Sequence, residues 1–98
     1  MILRLWYGWT ATENADAYED FLRTTMFPSM RSVDGFSGAE LLRRDEGDEV
    51  AFVTITRFES LDAVRTFAGE DYETAVYYPE DERYLVEHDD VCAHYDVR

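Results

Sequence analysis

The chain has one cysteine, Cys92, so it can close no disulfide within itself, and neither a paired-cysteine redox motif nor a zinc ribbon can be assembled. Basic residues are also scarce. Nine of them stand against 22 acidic ones, and a formal charge of −13 repels phosphate backbones and anionic membrane surfaces. Neither nucleic acid nor a membrane is therefore expected as a partner, and the scattered acids read as a solvated surface. Nowhere do 18 apolar residues run together, and Met1-Ile2-Leu3-Arg4-Leu5-Trp6 lacks a charged leader with a long apolar region behind it. A soluble, cytoplasmic protein is the expectation. The sequence also contains no nucleophile pair, glycine-rich phosphate loop or catalytic carboxylate dyad.

What is present is enough for a packed core. At 98 residues, 46% hydrophobic and 15% aromatic, the chain has the size and composition of one folded domain, residues 1–98. The run from Glu49 to Gly69 organises it. Val50, Phe52, Thr54, Thr56 and Phe58 alternate with Ala51, Val53, Ile55 and Arg57, and this β-branched and aromatic content predicts a central strand. After Ser60, a residue able to cap a helix, Leu61, Val64, Phe67 and Ala68 recur at helical spacing, with Asp62 in the first turn and Gly69 as the stop.

Upstream, Ile2 to Trp9 predicts strand one, with Leu3, Leu5, Tyr7 and Trp9 on one parity and Ile2, Arg4, Trp6 and Gly8 on the other. The second parity is neither plainly polar nor plainly core, which suggests one sheet face under helices and the other against something partly apolar, such as a partner subunit. Thr10 or Thr12 can cap the next helix, and Thr10 with Glu13 fits a capping box. Tyr18, Phe21, Leu22, Thr25 and Met26 mark the apolar face of that helix, which Pro28 is expected to end. Asp34-Gly35 signals a turn into a second strand, Phe36 to Arg44, and Asp45-Glu46-Gly47-Asp48 makes a hairpin to the central strand. Tyr72 to Glu87 has no clean period, although Pro79 followed by Glu80, Asp81 and Glu82 predicts a short capped helix to about Val86. Val91 to Val97 alternates again as the last strand.

The order β-α-β-β-α-β is the ferredoxin-like arrangement, an α+β fold with a four-stranded antiparallel sheet and both main helices on one face. Its other face needs a cover, because each large apolar side chain left in water forfeits roughly 1.5–3 kcal/mol of burial. Pairing two sheets removes the problem, so a homodimer is expected.

The stretch Thr56-Arg57-Phe58-Glu59-Ser60-Leu61-Asp62-Ala63 resembles the strand-to-helix junction of the antibiotic biosynthesis monooxygenase family, commonly an Arg-Trp-Glu-Ser type sequence. Strand one with its acidic helix, the Asp34-Gly35-Phe36 turn, the hairpin and the closing His94-Tyr95-Asp96-Val97 strand fall where that family has its elements. The resemblance implies a dimeric α/β-barrel with a pocket between sheet and helices. In some members it implies oxygenation of polycyclic aromatics without metal, flavin or haem. The haem-degrading branch relies on an Asn in strand one, a Trp at the junction and a His in the second helix. Here strand one has no Asn, the junction residue is Phe58 and the helix position is Ala68, which disfavours haem degradation.

His94-x-Asp96 places an imidazole and a carboxylate on one strand face, but a metal triad would need a second His at hand, so no metal is expected. His94 reads either as a sheet residue near a subunit interface or as a base able to remove a phenolic or enolic proton, with Asp96 to orient it. Trp6, Trp9, Tyr18, Tyr77 and Tyr78 could wall an aromatic pocket or simply pack the core. Tyr77-Tyr78 lies where an irregular segment would cap the pocket mouth. Arg57 reads as a charge snorkelling from a strand end or as an anchor for an anionic group. Two functions follow: a cofactor-independent monooxygenase acting on a small aromatic or enolisable compound, or a non-catalytic dimeric ligand-binding or stress-response module.

Overall fold

A computed structural model describes residues 1–98. Strand β1 (Ile2–Ala11) leads into a helical run containing α1 (Ala15–Phe21) and α2 (Phe27–Ser29), followed by β2 (Phe36–Glu46), β3 (Glu49–Phe58) and α3 (Leu61–Ala68). Helix α4 (Pro79–Tyr84) and the short strands β4 (Leu85–His88) and β5 (Ala93–Asp96) complete the chain. The sheet is antiparallel in the order β2-β3-β1-β4, with β5 also on β1. This is the expected α+β, ferredoxin-like fold with one amendment. The last strand is split: β4 pairs with Gly8 to Thr10 and β5 with Ile2 to Leu5, while residues 89–92 bulge out between them.

The junction forms as its sequence predicts. The Ser60 side chain accepts a hydrogen bond from the Ala63 amide, and Gly69 ends α3 at φ 90°. The hairpin is tighter than the four-residue turn suggested, since Glu46 pairs with Glu49 and only Gly47-Asp48 lies between, Gly47 taking φ 78°. No helix is long and apolar enough to cross a membrane.

Four local expectations are corrected. Thr10 caps nothing: β1 runs on to Ala11, where pairing with Val50 and Glu49 holds the backbone extended, and the buried Thr10 hydroxyl has no partner. Pro28 does not end the helical run, which continues to Ser32. A π-helical segment at Leu22–Met26 widens the ladder just where the proline supplies no amide and its ring would crowd the preceding turn. The short helix stops at Tyr84, because Leu85 to His88 gains more by pairing with the free edge of β1.

Finally, the face of β1 beneath the helices carries Ile2, Arg4, Trp6, Gly8 and Thr10, all buried, and not Leu3, Leu5, Tyr7 and Trp9. Arg4 is tolerated inside because backbone carbonyls receive its guanidinium.

Two apolar clusters fill the ends of that inner face, and a smaller one, Trp6, Ala75 and Cys92, lies apart from them. At one end Tyr18, Phe21, Leu22, Val50 and Phe52 pack under α1, and at the other Ile2, Met30, Phe58, Ala63 and Val64 pack under α3. The first cluster encloses Asp81, whose carboxylate accepts from the Tyr18 hydroxyl (2.8 Å) and the Tyr78 amide (2.8 Å), fastening α4 onto α1. Burial pushes the Asp81 carboxyl above its ordinary range, against the pull of those two donors.

Candidate functional site

The middle of the inner face is where the packing changes character. Along β3 the inward positions run Val50, Phe52, Thr54, Thr56, Phe58, so two threonines separate the apolar clusters. The register sets Thr54 opposite Trp6 and Thr56 opposite Arg4. Over this floor, beneath Met26, Met30 and Phe67, lies a cavity of about 20 Å³, room for one water. Cys92 lines both this cavity and an open depression of about 360 Å³ that includes His94, Tyr72 and Asp96.

Arg4 sits beside that junction and is 5% exposed, the one basic residue that is buried. Its Nη1 donates to the Tyr72 carbonyl and lies 3.0 Å from His94 Nε2, its Nη2 donates to the Thr74 carbonyl at 3.4 Å, and its guanidinium carbon lies 5.7 Å from the Phe67 ring centre. It forms no ion pair with any carboxylate. Burial first, and then the Arg4 charge, push the His94 pKa down, so the imidazole is neutral near pH 7 and its Nε2 can accept from Arg4. Burial also raises the Cys92 thiol, which leaves it a thiol and not a nucleophilic thiolate.

The structure brings some of the sequence-predicted residues together here and leaves others elsewhere. His94 pairs with Arg4 across the strands and therefore faces the helix side, not the outer face, with Tyr72 edge-on at 5.2 Å. Asp96 shares its strand face but is exposed and makes no hydrogen bond to His94; its ion pair is with Arg98 at 3.8 Å. Trp6 walls the cavity, and its indole donates to the Asp89 carbonyl at 2.6 Å, tying β1 to the bulge. Tyr77 packs edge-on to Trp6, 6.1 Å between ring centres, and its hydroxyl donates to Asp90 at 3.2 Å.

Tyr18 and Tyr78 line none of the cavities. Tyr18 is buried against Phe52 and Asp81, and Tyr78 packs on Phe21 at the start of α4. Trp9 and Arg57 lie on the outer face, Trp9 donating to Glu46 at 3.2 Å and Arg57 paired with Glu40. No three His, Cys, Asp or Glu side chains converge on one point.

Sequence reasoning missed Arg4, the Thr54–Thr56 floor and Cys92. The available signal was two successive inward threonines in an otherwise apolar strand, opposite an arginine on the same parity as Ile2 and Trp6.

A family model described as antibiotic biosynthesis monooxygenase matches residues 1–76, which carry the cavity floor, Arg4, Trp6 and the junction. No curated protein matches the sequence. Two solved structures share the fold. One, from Bacillus cereus and described as a candidate antibiotic biosynthesis monooxygenase, is 16% identical, with 99% of this chain and 92% of that one covered at a TM-score of 0.66. The other is the haem-degrader MhuD of Mycobacterium tuberculosis with two haems in its active site, 17% identical, 99% and 95% covered, TM-score 0.62. By the family match over most of its length, and with the ferredoxin-like sheet and helices of these two structures, the chain belongs to the antibiotic biosynthesis monooxygenase family.

Proposed function

We propose that the protein is a homodimeric, cofactor-independent monooxygenase acting on a small aromatic or enolisable compound at the Trp6–Arg4–His94 site. The observation that carries this reading is a neutral imidazole, His94, which lines the open depression and is held 3.0 Å from the buried Arg4 guanidinium, itself in the wall of the adjoining cavity with Trp6 and Phe67. His94 takes the acidic proton of the substrate. The imidazolium would then lie beside Arg4, an arrangement that only a negative charge makes cheap, and the enolate or phenolate left behind supplies it. Screened from water, that electron-rich anion reacts with dioxygen: the substrate loses two hydrogens and gains a carbonyl, one oxygen atom becoming the new C=O and the other leaving with those hydrogens as water, so the substrate itself supplies all four electrons. A ring does not fit in 20 Å³, so entry requires Met26 and Met30, flexible side chains over the floor, to change rotamer. The haem-degrader's chemistry fits less well, since the positions tied to haem cleavage hold Phe58 and Ala68.

The test is oxygen uptake by the metal-free protein with hydroquinones and anthrones. The expected result is turnover of at least one compound, with His94→Ala slower by about a hundredfold, the lower end of the range for a general base. If no compound reacts, or His94→Ala matches the wild type, the oxygenase assignment fails.

The near-filled cavity favours a second reading, a non-catalytic ligand-binding module of the same fold. It predicts aromatic binding with no oxygen uptake from any substrate.

A further inference from the structure

We infer that Arg4 is a carboxylate-binding residue and that the ligand of the helix-face site is an aromatic or enolisable acid, held through its carboxylate. This deepens the proposed function by naming the substrate class, and it rests on that reading for the location of the site.

Buried charges are as a rule paired, because an unpaired ion loses its hydration without return. Arg4 breaks that rule in a chain with 22 acidic residues. Arg23, Arg43, Arg44, Arg57, Arg65 and Arg98 each meet a carboxylate, and Arg31 and Arg83 are exposed to water. The buried arginine has two carbonyls, an imidazole nitrogen, a protonated thiol and the Phe67 ring for company, and no carboxylate.

Its donors are also incompletely used. A guanidinium has five N–H groups, and three are directed at Tyr72, His94 and Thr74. Of the two left over, one is on Nε and one on Nη2, neighbouring nitrogens that a carboxylate can accept from in a two-point fork. No oxygen or nitrogen of the protein takes them, and their one side-chain neighbour is the Cys92 thiol, a weak acceptor that a carboxylate would displace. Arg4 lines the cavity, and Cys92 stands between that cavity and the open depression lined by Tyr72, His94, Glu73 and Asp96, so an acid entering from the depression passes those two carboxylates and displaces the Cys92 side chain to reach the guanidinium, its ring turning toward Trp6 and Phe67. The surface charge of −13 does not contradict this, because affinity for the acid is set locally by a desolvated cation.

The test compares 2-naphthoate with its neutral isostere 2-naphthamide by calorimetry on the wild-type protein, where the comparison needs no variant. Naphthoate is expected to bind more tightly by about tenfold or more, as hydrogen bonds from a charged donor would give. It is also expected to shift the Arg4 Nε–H resonance. In Arg4→Met the preference should vanish, and in Arg4→Lys part of it should return. Equal affinity for acid and amide, no binding of naphthoate, or an unchanged preference in Arg4→Met would overturn the proposal. Because binding is read without turnover, a protein that prefers the acid yet consumes no oxygen refutes the oxygenase reading and leaves this one standing. Oxygen uptake with no preference for the acid does the reverse.

Discussion

Gly35→Ala is expected to lower the unfolding free energy by about 3 kcal/mol, the largest loss of stability foreseen for any single added methyl group in this chain. Two costs coincide at that position. Gly35 holds φ +83°, where an L side chain meets its own backbone, which costs roughly 1–2 kcal/mol. A Cβ there would also lie 2.5 Å from the Ala63 Cβ, with the Ala63 Cα at 3.7 Å, so relief requires the helix α3 to move. The turn cannot swing away, because the Gly35 carbonyl accepts from the Glu59 amide at 2.8 Å and fixes the strand-to-helix junction. At about 4–8 °C per kcal/mol for a domain of this size, thermal unfolding followed by circular dichroism should drop by more than 10 °C. Gly47→Ala is the control: φ is +78° but nothing lies within 4 Å of the added methyl, so only the backbone cost applies. Equal losses in the two variants would refute the proposed clash between the turn and the helix.

Val53→Lys is expected to leave the fold intact and to weaken the proposed dimer by about a thousandfold or more. The outer sheet face carries Leu3, Leu5, Tyr7 and Trp9 on β1, with Ala51, Val53 and Ile55 opposite them on β3. Leu42, 48% exposed, pairs with Val53 from the other side, and a groove of about 440 Å³ runs along this face. In a two-fold interface each substitution occurs twice, so losing roughly 1.5–3 kcal/mol of burial per valine, with a lysine to desolvate in addition, amounts to about 5 kcal/mol. Light scattering should report a dimer for the wild type and a monomer for the variant at the same micromolar concentration, with little change in melting temperature corrected for association. A monomeric wild type would remove the dimer from the account.

How far the sequence could be read depended on whether local forces decided the outcome. The β3–α3 junction was legible because the alternation, the Ser60 cap and the Gly69 stop all act within a few residues of one another. The hairpin followed for the same reason. Where tertiary pairing competes with local preference, sequence reading faltered. Thr10 has the chemistry of a cap but is drawn into the sheet by Val50, and Leu85 to His88 continues a helical composition but meets the free edge of β1.

The candidate site was the least legible part. His94 and Trp6 stood out as residue types, whereas Arg4 lay on a parity of strand one, with Ile2, Trp6 and Gly8, that is neither plainly polar nor plainly core. What lets it lie inside is the pair of carbonyls from residues 72 and 74, 68 and 70 positions away in the chain. No local pattern could supply them. Asp96 illustrates the converse: two residues from His94 on the same strand face, it still pairs with Arg98 and makes no hydrogen bond to the imidazole.

In the proposed function ligand binds on the helix face, at Trp6, while the opposite face serves association. The two tryptophans of the chain lie on these two faces, Trp6 at the cavity and Trp9 beside Glu46 and Val53. Fluorine NMR of protein labelled with 5-fluorotryptophan, assigned through Trp9→Phe, reads both at once. Adding a hydroquinone or anthrone should shift the Trp6 resonance and leave Trp9 in place, with dilution doing the opposite. A ligand that moves only Trp9 would place binding on the outer face and refute a helix-face site.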